Sequence, residues 1–302
     1  MRIAVTGATG FLGRYVVKHL TSDGHRCVCW HRPTSDLSGI DTRGGAVTWV
    51  DGGLTRAGTE EDLVRGCDAV VHAALDRPGA GFRGAEGDLI AFVETNVVGT
   101  LRLIEAARAA KVGRFVFIST GAVHEKILTD RPLDETHPAW PTSHYGAHKA
   151  AIEAFVHSYG YGLGYPICAL RPTGIYGLAH PPSESKWFDL VRDVARGREV
   201  NCTRGGKEVH AADVARAVGV VLSAATPQVA GESFECFDRY TADFEVATVA
   251  RELSGSPSSI LGTAPTPKNQ IVTSKLQALG MTFGGRPLLE QTVKELLASI
   301  PA

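Results

Sequence analysis

Tyr145 and Lys149 stand four residues apart in Tyr145-Gly146-Ala147-His148-Lys149, a spacing that puts a phenol and an amine one turn apart on the same face of a helix. A phenol so placed can exchange a proton with a substrate oxygen if its pKa falls well below the value of about 10 of a free tyrosine. The neighbouring ammonium supplies that shift by favouring the phenolate. Upstream, Thr6-Gly7-Ala8-Thr9-Gly10-Phe11-Leu12-Gly13 carries three glycines at G-x-x-G-x-x-G spacing directly after an apolar run. In such a turn Gly7 permits the tight bend, Gly10 lets a pyrophosphate approach the main chain and Gly13 lets the next helix pack closely. The first amides of that helix then face the phosphates. Either motif alone is weak evidence. Their order and separation in one chain make the pair strong evidence for a site that joins a phenol and an amine to a glycine turn for a dinucleotide.

The elements that must hold these groups follow from periodicity. Short β-rich apolar runs at 2–6, 26–30, 46–50, 69–73, 114–119 and 166–170 alternate with helical patterns near 11–22, 59–65, 88–110 and 144–159. This alternation predicts an α/β fold with a doubly wound parallel Rossmann sheet over residues 1–172. The order loosens over 173–302, a smaller, mainly C-terminal substrate-binding region with helices expected at 185–197, 211–225, 243–254 and 288–299 and a stretch near 205–240 packing back on the first domain.

The chain of 302 residues has formal net charge −1, with 44% hydrophobic and 21% charged residues, an ordinary globular composition that gives no case for nucleic-acid binding. No apolar run approaches the roughly 20 residues that span a bilayer, and no signal-peptide pattern precedes the first strand, so a cytoplasmic protein is expected. Cys27, Cys29, Cys67, Cys168, Cys202 and Cys236 show no ligand spacing and read as buried reduced thiols. His31, His72 and His124 fall on different strand ends and do not form a metal set.

The motifs resemble those of the extended short-chain dehydrogenase/reductase superfamily, which contains sugar-nucleotide epimerases and dehydratases, dihydroflavonol reductases and 3β-hydroxysteroid dehydrogenases. The resemblance covers nearly the whole chain. Thr6 to Gly13 matches TGATGFLG, Asp68 to Ala74 resembles D-x-V-x-H-x-A-A, and Asn96-Val97-Val98-Gly99-Thr100 resembles N-V-x-G-T. Ser119-Thr120 precedes a degenerate V-Y-G at Val123-His124-Glu125, Arg171 to Gly177 resembles R-P-x-x-x-Y-G, and His210 to Ala215 resembles H-V-D-D-V-A. The resemblance implies a catalytic Thr120, Tyr145 and Lys149, with Lys149 also bonding the nicotinamide ribose. It implies a cofactor site of Gly7, Thr9, Gly10, Phe11, Leu12, Gly13, His31, Arg32, Leu54, Ala73, Ala74, Asn96, Ser119, Tyr145, Lys149, Arg171 and Pro172. It also implies a homodimer built from the helices 88–110 and 144–159, with Leu89, Phe92 and Val93 on the first and Ala150, Ala151, Ala154 and Phe155 on the second.

Departures from the family pattern bear on substrate and cofactor. Sugar-nucleotide dehydratases carry an acidic pair after the catalytic Thr, where this chain has Gly121 and Ala122. No Asn occurs in the segment before Gly177, and the Arg that grips a nucleotide pyrophosphate is matched at best by Lys207, which cannot form a bidentate fork. These losses favour simple interconversion of a ketone or aldehyde and an alcohol on a small molecule over epimerisation or dehydration of a nucleotide sugar. At the end of the second strand His31-Arg32 replaces the acid that would accept both ribose hydroxyls of NAD, so NADP is the expected preference. Gly52-Gly53-Leu54 replaces the G-D-L that carries the family's adenine-binding Asp, leaving Asp51 as the nearest carboxylate.

Overall fold

A computed structural model describes residues 1–78, 84 and 86–301. In chain order its elements are β1 (Arg2–Thr6), α1 (Phe11–Ser22), β2 (Arg26–His31), β3 (Val47–Asp51), α2 (Glu60–Val64), β4 (Ala69–His72), α3 (Leu89–Val93), α4 (Gly99–Ala109), β5 (Phe115–Ile118), α5 (His144–His157) and β6 (Ile167–Pro172). They continue with β7 (Gly174–Tyr176), α6 (Phe188–Ala195), β8 (Val200–Asn201), β9 (Gly205–His210), α7 (Ala211–Ser223), α8 (Thr226–Val229), β10 (Glu232–Cys236), β11 (Arg239–Ala242), α9 (Asp243–Ser254), β12 (Ile260–Leu261), α10 (Ser274–Ala278) and α11 (Gly285–Ala298).

The chain divides into two units, the first comprising Met1–Pro172, Val214–Cys236 and Ile271–Met281. Its seven-stranded parallel sheet has the order β10-β6-β5-β4-β1-β2-β3. The order reverses between β1 and β4, the topological switch point beyond whose strand carboxyl ends open α/β sheets bind their ligands. Buried on both faces, the central strands are continuous apolar runs such as Phe115-Val116-Phe117-Ile118. One face packs Leu63, Leu103, Ile104, Ile152 and Val156 from the helices onto Ala4, Val70, Phe115 and Ile167 of the sheet. This positions α5, which carries Tyr145 and Lys149.

The expected helix over 88–110 is broken by a π-turn at Glu94–Val98 between α3 and α4. The extra residue re-phases the helix. Phe92, expected outward, is 5% exposed and lies edge-on to His148 with ring centroids 5.0 Å apart, while Leu89 and Val93 stay exposed. All six cysteines are buried free thiols.

The second unit comprises Thr173–Asp213, Phe237–Gln270 and Thr282–Ala302. A three-stranded sheet in the order β11-β9-β7 accompanies a core in which α6, α9 and α11 bury Val191, Val194, Val246, Ala250, Leu289, Val293 and Leu296.

Candidate active site

The glycine turn sits at the carboxyl end of β1. Gly7 has φ +70°, and a Cβ there would lie 2.7 Å from the Ala73 carbonyl and 2.8 Å from Ala74 N. Gly13 is excluded from substitution by packing alone, since its Cβ would fall 1.9 Å from Gly7 O. Gly10 differs: its φ is −75°, and its Cβ would meet only Gly7 O at 3.3 Å. The fold demands glycine at 7 and 13, whereas at 10 the missing side chain mainly keeps open the exposed rim of the turn. α1 begins at Phe11 with no side-chain cap on Gly10. Its uncapped first-turn amides and partial positive charge are an acceptor-seeking end that suits a pyrophosphate. Arg14 braces the turn by donating to Thr9 O at 3.0 Å and Asp36 O at 2.8 Å. Sequence reasoning passed over Arg14 because it belongs to no motif.

Beside this turn, five groups form one hydrogen-bond chain. Ala74 N–H donates to Thr6 Oγ1 at 3.2 Å, and Thr6 donates to His72 Nδ1 at 2.6 Å. His72 Nε2 donates to Thr100 Oγ1 at 2.8 Å, and Thr100 donates to Asn96 O at 2.6 Å. Because the Thr100 proton goes to a carbonyl, its oxygen must accept from His72, which assigns the proton to Nε2. Burial, reinforced by the Lys149 charge, pulls the His72 pKa down to about 3, so the ring is neutral. The Asn96 side chain accepts from Asp76 N and donates to Asp76 O, both at 2.8 Å, pinning the chain after β4. Asn96, expected at the cofactor, thus spends its amide on the loop that follows β4.

Lys149 is 5% exposed. Its Nζ donates to Ile118 O at 2.8 Å and lies 4.5 Å from the Phe117 ring centroid. Burial lowers its pKa to about 7, against the opposing pull of the Glu153 carboxylate one turn further along α5. Tyr145, half-buried in the first turn, has its backbone N–H bonded to Glu86 Oε1 at 3.1 Å and its ring centroid 5.3 Å from that of His148. Ser143 caps α5 by accepting from Gly146 N at 3.1 Å.

Thr120 and Ser119 diverge. Ser119 is 3% exposed, and its hydroxyl donates to the Glu153 carboxylate. Thr120 is half-buried, with Oγ1 accepting from Ala122 N at 3.2 Å. Gly121 and Ala122 begin a 3-10 turn that Thr120 caps, so no carboxylate occupies those positions.

Arg171, expected at the cofactor, is 3% exposed and committed to the protein interior. It donates to Glu153 Oε2 through Nε at 2.9 Å and through a terminal nitrogen at 2.6 Å, and to Glu235 Oε1 at 3.0 Å, beside His124 Nε2. Burial opposes its charge, but Glu153 and then Glu235 outweigh burial and hold its pKa above the ordinary value. Tyr-x-x-x-Lys-x-x-x-Glu spacing was the available signal for Glu153. Pro172 ends β6 and is buried beside Cys236 in register.

At the tip of β2 the Arg32 side chain is 65% exposed and 3.3 Å from Asp76 Oδ1, and His31 Nδ1 lies 3.2 Å from Arg32 O. Asp51 pairs with Arg56 at 2.7 Å, which lowers its pKa through that hydrogen bond. Leu54 is 5% exposed, and its carbonyl accepts from Arg102 at 2.9 Å.

A glycine turn at a topological switch point, with a tyrosine and a buried lysine on the helix after β5, defines an extended short-chain dehydrogenase/reductase, an enzyme class. The chain belongs to the NAD dependent epimerase/dehydratase family, whose sequence profile matches residues 3–236. It is 27% identical over 278 residues to a dTDP-glucose 4,6-dehydratase of Actinoplanes sp., covering 86% of this chain and 83% of that one. It is 29% identical over 233 residues to a 4-hydroxy-2-methyl-3-oxo-4-farnesyl-3,4-dihydroquinoline-1-oxide ketoreductase of Stigmatella aurantiaca, covering 74% and 64% of the two chains. The fold matches the crystal structure of Thermus thermophilus UDP-glucose 4-epimerase in complex with NAD, with TM-score 0.78, 24% identity and coverage of 99% and 100%. Among the described residues no helix is long and apolar enough to cross a membrane.

Proposed function

We propose that the protein is an NAD(P)-dependent oxidoreductase that interconverts a ketone or aldehyde and an alcohol on a small molecule. The observation that carries this reading is that Tyr145 and the buried Lys149 stand one turn apart on α5, with Lys149 bonded to Ile118 O two residues before the half-buried Thr120 and with Gly121 and Ala122 where a dehydratase needs acids. The bound nicotinamide supplies the hydride. Tyr145 exchanges the proton at the substrate oxygen, Thr120 orients that oxygen, and Lys149 stabilises the phenolate and bonds the cofactor ribose. The bond of Ser119 to Glu153 supports Thr120 over Ser119 in that role. The first unit holds the dinucleotide through residues 7–13, and the second unit serves the substrate. Arg32, with no carboxylate at His31, favours NADP. The buried thiols and the lack of any apolar spanning helix among the described residues fit a cytoplasmic protein.

A homodimer is part of this reading. Leu89, Ile90, Val93 and Val98 of the first helical run and Phe155 of α5 are 36–67% exposed, with Ala151 and Ala154 beside Phe155 small enough for close helix contact.

The runner-up is an epimerase, in which the same hydride returns to the opposite face of the substrate, the activity named for the Thermus neighbour. Incubating the protein in parallel with the reduced cofactor NADPH and with the oxidised cofactors NAD+ and NADP+, each against a panel of aldonolactones, nucleotide sugars and aromatic ketones, decides between them. Net cofactor oxidation or reduction supports the oxidoreductase, a new epimer without net cofactor change replaces it with the epimerase, and neither product with any substrate rejects both.

A further inference from the structure

The second unit contains a cavity of about 530 Å³ between the segment entering α6 and the strands β9 and β11. Its cations are already paired. Lys186 Nζ lies against Glu208 Oε1, and Arg204 Nε is 3.4 Å from Asp243 Oδ2. A third carboxylate, Asp189, lines the cavity in the first turn of α6, where it meets the positive end of that helix. Asp189 is itself paired with Arg192 at 2.6 Å, so each carboxylate of the lining already meets a cation and neither lining cation is left uncommitted. A nucleoside diphosphate brings at least two negative charges and is recognised by guanidinium forks or uncommitted cations. This wall is built for something else.

Its surplus is in acceptors. Glu208 is 3% exposed and its Oε2 has no hydrogen-bond partner among the described residues, nor does Oγ1 of Thr241, 1% exposed and paired in register with Gly206. A buried carboxylate oxygen without a donor is destabilising, and such an orphan calls for a ligand or water to satisfy it. The strands make room for this carboxylate. A Cβ on Gly174 would lie 2.6 Å from Oε2 and one on Gly206 2.6 Å from Oε1. The Lys186 ammonium already on Oε1 repels a second ammonium, so the complementary donor is a neutral hydroxyl. Trp187, its indole N–H held by Asp243 Oδ1 at 2.9 Å, adds an apolar ring of the kind that covers the C–H face of a sugar or cyclitol.

We propose that this cavity receives an uncharged, hydroxyl-rich group of the substrate, with Glu208 as its specificity-determining acceptor and Thr241 as a second hydrogen-bonding partner. The proposal rests on the oxidoreductase reading above and narrows its substrate to a neutral polyol or sugar carbonyl compound. Titration of the full-length protein with D-glucose, myo-inositol and UDP-glucose, followed by saturation-transfer NMR with and without NADPH, reads binding independently of turnover. At least one uncharged probe should bind more tightly than UDP-glucose, and Glu208→Gln should weaken that binding at least tenfold. Thr241→Val, which preserves side-chain shape, should weaken it severalfold, and it tests the site independently if Glu208→Gln fails to fold. UDP-glucose binding most tightly, no binding of either uncharged probe, or unchanged affinity in the folded variants would overturn the proposal. Tyr145-dependent hydride transfer to a nucleotide sugar would also overturn it while leaving the oxidoreductase reading in place, whereas uncharged-probe binding without any hydride transfer would reject that reading instead.

Discussion

The ammonium nitrogen of Lys149 donates to the backbone carbonyl of Ile118 across 2.8 Å, tying α5 to the end of β5 two residues before Thr120. One short bond thus sets the spacing between the strand that leads to the Thr120 hydroxyl and the helix that carries the Tyr145 phenol. The same burial makes the lysine charge expensive, with consequences that can be measured.

The Lys149 pKa is about 7 in the folded chain against 10.5 for an ordinary lysine. Between those values the unfolded chain binds more protons, so this group makes stability rise with pH across that window, and the cost of its buried charge is fully felt below pH 7. Lys149→Met should therefore raise the melting temperature of the cofactor-free protein at pH 6 and give a shrinking gain as the pH approaches 9. Thermal melts of parent and variant across that range check it, and a gain that does not depend on pH would show that the ammonium is not desolvated.

Tyr145→Phe should lower kcat by about 10²–10⁴, the usual worth of general acid–base assistance, while leaving cofactor affinity within a few fold. Lys149→Ala should harm both, because Lys149 has two tasks. Steady-state kinetics with the eventual substrate and cofactor titration by intrinsic fluorescence separate the two effects.

Much of this arrangement was legible beforehand. The strands β1 to β6 announce themselves as short β-rich apolar runs, and α1 starts within the glycine motif that ends at Gly13. The seventh strand, β10, was missed because Glu232-Ser233-Phe234-Glu235-Cys236 alternates carboxylates with apolar residues and looks solvated. Only the fold reveals that Glu235 is fully buried beside Arg171. Arg171 was assigned to the cofactor for the same reason: a guanidinium in a motif looks available until its carboxylates, distant in sequence, are seen around it. The π-turn at Glu94–Val98 left no sequence mark, so the face of Phe92 was misjudged.

The proposed NADP preference rests on Arg32, whose guanidinium makes a long contact of 3.3 Å to Asp76. A charge-assisted hydrogen bond to a 2′-phosphate favours binding by roughly 10- to 150-fold, and solvent exposure of Arg32 places the expected NADP preference near tenfold. Titration of both cofactors against the parent and Arg32→Ala tests this. Equal affinities in the parent, or an unchanged ratio in the variant, would assign Arg32 to Asp76 alone.

Association should be visible in solution. Sedimentation at micromolar protein should show a species of twice the chain mass, and Phe155→Glu should shift it toward monomer by placing a charge in the helix face. A parent that sediments only as monomer removes the dimer from the reading.

The hydrogen-bond chain from Ala74 through Thr6, His72 and Thr100 to Asn96 has one further implication. With every proton direction along it dictated, the imidazole neither gains charge nor exchanges tautomers through the working pH range, and it behaves as a constant dipole beside the glycine turn that follows Thr6. An acidic limb in the rate profile would therefore have to come from a group other than His72.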